Sequence, residues 1–293
     1  MPRIPRQALF LAVGLLAASQ SGNIIRLGDA PALVMAAWRL LLASALLLPF
    51  AARQRGALGG LGRREILLLG LAGLALAGHL ATWIAGVQHT SVASAMLVFA
   101  INPVFTASAA LFLGERPSRR LALSIGCGLA GVAIMGWGDL GLSSQYALGD
   151  ALALLSALLF SGYFLVGRHL RQALPNTLYV AVLYGVAGLC CLAASIGLDL
   201  PLLAPDARTW ACFALLALVP TLIGHSALNH ALAWLGASRV AAATLVEPLL
   251  GGAVAILVWD EPFGPATVAG YALIAASVLA LVLERRPGGG AEA

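Results

Sequence analysis

The chain has 293 residues, 61% hydrophobic and 10% charged, with a mean hydropathy of +0.95. Soluble domains run about 45–50% apolar and about 25% charged, so a water-soluble enzyme of this size is excluded and the excess apolar surface needs lipid as its solvent. All seventeen basic residues are arginine, against twelve acids, for a formal charge of +5. These arginines fall in short clusters between apolar runs, with no basic face or aromatic groove, which argues against a nucleic-acid partner.

A helix crosses the hydrocarbon with about 20 apolar residues. Breaking the chain at charges and turn residues predicts ten such runs, at 7–25, 32–51, 65–87, 91–113, 120–138, 149–168, 177–197, 208–233, 238–258 and 265–284. The first run, with Arg3 and Arg6 before it and Ala17, Ala18 and Ser19 near its end, shares features with a cleavable signal peptide. Its apolar stretch is long for that role, and it reads as the first helix. Loops between the runs are short, and the Gly-rich end after Pro287 reads as a disordered tail.

Orientation follows from where arginine accumulates. An N-terminus inside the cell puts Arg3, Arg6, Arg53, Arg55, Arg63, Arg64, Arg116, Arg119, Arg120, Arg168, Arg171, Arg239, Arg285 and Arg286 on the cytoplasmic side. Only Arg26 and Arg208 fall outside, and Arg39 lies within a span. Both termini are therefore expected in the cytoplasm, and the membrane to be a bacterial-type inner membrane.

The fourth run contains Asn102-Pro103 and is followed by Gly114-Glu115-Arg116-Pro117; the ninth contains Glu247-Pro248 and is followed by Asp260-Glu261-Pro262. Each pair of prolines is fourteen residues apart, and the two copies are offset by 145. This predicts a duplicated five-helix unit, residues 1–146 and 147–286, with a tail at 287–293. Five is odd, so the second copy crosses the membrane in the opposite sense. The expected fold is an all-α polytopic membrane protein, ten transmembrane helices as two inverted five-helix repeats around a central cavity, the layout of a carrier.

This layout, with a proline inside helices four and nine followed by an acidic turn, resembles the drug/metabolite transporter superfamily and, within it, the EamA-type exporters. Further matches are Ala37-Trp38-Arg39-Leu40 in helix two and Ser21-Gly22-Asn23 near the end of helix one, where the family usually places a Trp just before and this chain has Gln20 or Ser21. Length and layout also resemble the YddG-like aromatic amino acid exporters. The resemblance implies a transporter.

Polar groups within spans are costly and point to a cavity or a helix partner. Helix three carries His79 and Trp83, four apart and on one face; helix eight carries Thr221, His225 and Asn229 around Pro220. His79 and His225 fall within one residue of the repeat offset. Pro103 and Pro248 lack an N–H, and release the carbonyls of Phe99 and Thr244 as candidate acceptors for an ammonium group. Helix six offers a stripe of Ser156, Phe160, Tyr163 and Gly167, and helix two offers Trp38. The expected substrate-binding set is His79, Trp83, Phe99, Asn102, Tyr163, His225, Asn229, Thr244, Glu247 and Trp38, with helix kinks at Pro103, Pro220 and Pro248.

Glu247 is the one deep carboxylate and is either a proton-coupling group or the ion-pair partner of Arg39, the one deep arginine. Helices three, four, six, eight and nine are expected to wall the site, and helices five and ten to pack the halves or a dimer face, with Gly126, Gly128 and Gly131 allowing close approach. Cys127, Cys190, Cys191 and Cys212 lie in apolar runs without ligand spacing and read as packing residues. No metal, cofactor or catalytic residue is implied, since no nucleotide loop or His-Glu-x-x-His element occurs.

The function expected is secondary transport of small metabolites, amino acids above all (aromatic and other neutral ones), by alternating access. Partners are the substrate, the lipid bilayer and protons, with the protein a monomer or homodimer. The alternative is export of lipophilic cations or drugs, held by Glu247 and aromatic faces. An intramembrane enzyme and a sugar-phosphate carrier rank below these, the latter because a phosphate demands several deep basic residues.

Overall fold

A computed structural model describes residues 6–112, 114, 118–139, 147–259 and 264–282. Its long helices are α1 (Arg6–Ile25), α2 (Ala32–Ala52), α3 (Arg63–His89), α4 (Val92–Phe112), α5 (Arg119–Asp139), α6 (Ala147–Ala173), α7 (Asn176–Gly197), α8 (Ala207–Leu235), α9 (Ala237–Trp259) and α10 (Pro265–Val282). Eight of them, all but α5 and α10, are long and apolar enough to cross a membrane. Among the described residues there is no strand. The acidic turns at Glu115–Pro117 and Asp260–Pro262 and the tail after Pro287 lie outside the described residues.

Local chemistry sets the helix ends. Pro31 and Pro175 stand immediately before α2 and α7, where their fixed φ suits a helix entry. Ser91 starts α4 by accepting the Ser94 N–H at 3.0 Å, Ser118 starts α5 by accepting that of Leu121 at 3.0 Å, and Asp206 starts α8 by accepting that of Thr209 at 2.7 Å. α8 ends at Gly236, whose φ of +82° is in the left-handed region that favours glycine.

Four helices are interrupted: α1 turns at Gln20, α4 at Ala100 and Ile101, α9 passes through a 3-10 turn at Thr244–Val246, and α8 widens into a π-helical stretch at Ala217–His225. Proline explains three of the four, because each removes the N–H that would bond to the carbonyl four residues back. Those carbonyls do not stay open, which corrects the expectation that they await substrate. Asn102 Nδ2 donates to Phe99 O at 3.1 Å, the Glu247 N–H bonds to Thr244 O, and the Thr221 hydroxyl donates to Leu216 O at 2.7 Å. In lipid an unsatisfied carbonyl costs several kcal/mol, so nearby donors capture it.

Helix pairing follows a simple rule. α3 packs on α6 and α1 on α8; α4 packs on α6 and α9 on α1; α2 packs on α7, α4 on α9 and α5 on α10. Exchanging each helix with the one five places away maps this pattern onto itself. Small residues permit the closest crossings: a Cβ on Gly224 would lie 2.8 Å from Ala18 N, and one on Gly131 would lie 2.7 Å from Gly270 O. Gly126, by contrast, has nothing within 4 Å of that position, so it contributes no close approach in α5. The outer surface is apolar, with Leu67, Leu71 and Leu74 of α3 exposed by 68%, 58% and 58%. Side chains of that size left uncovered in water would form a sticky patch; in lipid they are solvated.

Candidate functional site

Six helices converge on a small cavity of about 30 Å³ at the middle of the bundle. α1 contributes Ala18 and Ser21, α3 His79, Leu80 and Trp83, α4 Met96 and Phe99, α6 Phe160, α8 His225 and Leu228, and α9 Glu247. A water needs about 10–15 Å³ of such space and drug-sized ligands about 300 Å³ or more, so the site holds a water or two and must widen for anything larger.

The polar groups around it are tied to one another. His79 Nδ1 lies 3.1 Å from Ser156 O and 2.8 Å from Ser156 Oγ, and that hydroxyl lies 3.1 Å from His79 O. His225 Nδ1 lies 3.1 Å from the Tyr163 hydroxyl. The two imidazoles are 5.8 Å apart, and Phe160 stands 5.0 Å from His79 with Phe99 at 5.6 Å. Trp83 packs on Phe99 at 5.3 Å and donates its indole N–H to Ser21 Oγ at 3.1 Å.

Arg39 is fully buried, 0% exposed, one step behind this wall. Its Nε donates to Thr221 Oγ1 at 2.9 Å and its Nη1 to Ser21 Oγ at 3.2 Å, while Nη2 has no hydrogen-bond partner among the described residues. A chain of cause runs from Pro220 to the cavity: the proline frees Leu216 O, Thr221 turns to it, and the Thr221 oxygen then accepts from Arg39, which holds Ser21. The guanidinium bonds to the Thr221 and Ser21 hydroxyls in this structure and not to Glu247, so the geometry gives no support to the ion-pair alternative.

The structure therefore gathers His79, Trp83, Phe99, His225 and Glu247 at the cavity and puts Tyr163 directly behind His225. Asn102 and Thr244 sit deeper, where Asn102 Nδ2 donates to Thr244 Oγ1 at 3.1 Å and clasps α4 to α9. Asn229 lies one turn beyond His225, donating to His225 O at 2.8 Å. Trp38 is elsewhere: its indole N–H bonds to Leu202 O at 2.7 Å and its ring meets Trp210 at 5.0 Å. Pro103, Pro220 and Pro248 are buried at their interruptions. Ser21 and the whole of α1 are absent from the sequence-derived wall, although the Ser21-Gly22-Asn23 segment marked the spot.

Beyond Ser21 and Trp83, one helical turn along α1 and α3, a vestibule of about 840 Å³ opens between Ile25, Arg26, Gly28–Pro31, Val87, Gln88, Thr90, Pro201, Leu203 and Pro205. Toward the other end hydrogen bonds tie the helices to one another. Arg171 donates to Asn229 O at 3.2 Å and to Leu174 O, Asn176 Nδ2 to Ser226 O at 3.0 Å, and Tyr184 OH to Thr221 O at 3.2 Å.

A bundle of membrane-length helices around a small polar and aromatic cavity, with a wide vestibule on one side, is the form of a membrane transport protein. The sequence pattern of the EamA-like transporter family matches residues 7–137 and again 147–283, and the chain belongs to that family. It is 25% identical over 241 residues to an uncharacterized transporter from Archaeoglobus fulgidus, covering 82% of this chain and 83% of the other. A protein of known crystal structure shares the fold with a TM-score of 0.74 at 18% identity, over 95% of this chain and 97% of its own. The chain is thus a multi-pass membrane transporter of small molecules.

Proposed function

We propose that this transporter carries amino acids, aromatic and other neutral ones, across a bacterial-type inner membrane by alternating access. Two five-helix halves, 1–146 and 147–286, run in opposite senses and rock about the central cavity, with both termini cytoplasmic and the vestibule on the outer side. The twofold match of one family pattern and the self-mapping helix pairing support the duplication, with α5 and α10 as the fifth and tenth spans. The arginine distribution supports the orientation.

The observation that carries the substrate class is a cavity holding one carboxylate, Glu247, and one hydroxyl backed by a guanidinium, Ser21 with Arg39, among aromatic rings. A zwitterion with an apolar side chain complements all three. A sugar phosphate does not, since no arginine lines the cavity and only Arg39 stands behind it. Glu247 is the group proposed to take and release the coupled proton. Flux of a panel of amino acids into proteoliposomes, with and without a pH gradient, tests the reading. Tryptophan or another neutral amino acid should move, a pH gradient should drive it, and Glu247→Gln should abolish the response to the gradient, with His79→Ala lowering flux. Failure of every amino acid to move sinks the substrate class. Transport by Glu247→Gln that still follows the gradient removes the coupling role.

Glu247 beside Trp83 and Phe99 also favours a second occupant, a lipophilic cation held by charge and ring faces. Competition between tryptophan and a quaternary dication in the same assay separates the two.

A further inference from the structure

The proton positions around the cavity follow from which atoms can only accept and which can only donate. A backbone carbonyl has no proton to give, and the Ser156 hydroxyl is directed to His79 O. His79 Nδ1 therefore carries the proton and donates to Ser156, which leaves the Nε2 lone pair free to accept. His225 is anchored in the reverse sense. The Asn229 side-chain oxygen Oδ1 accepts no hydrogen bond, so the Tyr163 hydroxyl, with no other acceptor bonded to it among the described residues, donates to His225 Nδ1. The His225 proton then sits on Nε2. Ser21 completes the set. Its oxygen accepts from the Trp83 indole and from Arg39, both pure donors, so both lone pairs are taken and its own O–H is left to donate.

We infer that the cavity is polarised. α1 and α8, which pack on each other, present the donors Ser21 O–H and His225 Nε2–H; α3 and α9 present the acceptor His79 Nε2 and, in its ionised form, the Glu247 carboxylate. The imidazoles are 5.8 Å apart, close enough for one small molecule to span. An amino acid lies with its carboxylate on the α1–α8 side, its ammonium on the α3–α9 side and its side chain toward Trp83 and Phe160. Arg39 is a positioning residue that fixes the direction in which Ser21 donates. The identity of the spanning molecule rests on the amino acid reading above; the donor and acceptor arrangement does not.

Two measurements test this. Long-range proton–nitrogen correlation spectra of the full chain, labelled with ¹⁵N-histidine, held in nanodiscs and assigned through His79→Gln and His225→Gln, should show an Nδ1–H tautomer at His79 and an Nε2–H tautomer at His225. The opposite tautomer on either ring overturns the proposal. In proteoliposomes, tryptophan, tryptamine (no carboxylate) and indole-3-propionate (no ammonium) compete against labelled tryptophan. Loss of a charge-assisted hydrogen bond is worth about tenfold or more, so the wild type should prefer tryptophan to tryptamine by about that factor. Ser21→Ala should shrink this preference to about threefold or less while sparing the preference over indole-3-propionate. Equal losses for all three compounds overturn the role of Ser21. If none of the three competes while both tautomers are as assigned, the amino acid reading falls and the polarity stands.

Discussion

At the residue scale, glycine and serine govern how closely the helices meet around the cavity. Gly224 faces the backbone of Ala18, with a new Cβ 2.8 Å from its nitrogen and 2.9 Å from its Cα. Backbone cannot rotate away as a side chain can, so Gly224→Ala should cost about 1–3 kcal/mol by overpacking and lower the thermal midpoint in detergent. Gly126→Ala, with open space, should leave the midpoint unchanged or raise it, since alanine favours helix by about 1 kcal/mol. The same scale shows where sequence reasoning reached its limit. His79 and His225 were legible because a repeat offset ties them together. Ser21 was not, because its importance comes from Trp83 and Arg39, 62 and 18 residues away, converging on one oxygen. The carbonyls behind Pro103 and Pro248 were correctly identified as released, but the donors that recapture them, Asn102 Nδ2 and the Glu247 N–H, depend on local backbone geometry that spacing does not reveal.

At the element scale, the long helices were legible nearly to their ends, because lipid requires long apolar runs and arginine marks where they stop; eight of them are long and apolar enough to cross a membrane. α6 is the exception. It continues to Ala173, past Arg168 and Arg171, since Arg171 is buried against α8 and behaves as a helix residue rather than a loop charge. The π-helical stretch of α8 was anticipated only as a kink at Pro220; its width follows from Thr221 bridging back to Leu216. The start of α8 makes a pH prediction. Asp206 accepts from the Thr209 backbone and side chain, which holds its carboxyl below the usual aspartate range. A depressed value means that the charged cap stabilises the helix above the ordinary aspartate range and that this contribution is lost as pH falls through the folded value. Protection of the Thr209 amide from hydrogen exchange should therefore decline on acidification. In Asp206→Asn, whose amide oxygen still accepts, protection should no longer vary with pH. Equal acid sensitivity in both proteins would show that the cap does not control this end. The same Thr209 hydroxyl accepts from the Asp29 N–H at 3.1 Å, so loosening of α8 should reach the vestibule rim.

At the scale of the whole molecule, one family pattern matches residues 7–137 and again 147–283, and α4 and α9 are both interrupted near a proline, as the two proposed halves require. If they run in opposite senses with the termini inside, residues at the two ends of the bundle must be reached from opposite sides of the membrane. Gly59→Cys, in the exposed turn at Arg55–Gly60, should react with an impermeant maleimide only from the cytoplasmic face. Leu203→Cys, 70% exposed at the vestibule, should react only from outside. Labelling of both from one face would refute the topology.

The cavity of about 30 Å³ also has a consequence for the membrane in which the protein resides. Room for a water or two cannot hold a continuous file of water from the vestibule to the opposite face, and without such a file protons have no wire to follow. In this conformation the carrier should therefore act as an electrical insulator, so that many copies could sit in an energised membrane without draining it. Vesicles containing the empty protein should hold an imposed pH gradient as long as protein-free vesicles do, and faster decay would mean that the closed state is not the resting one.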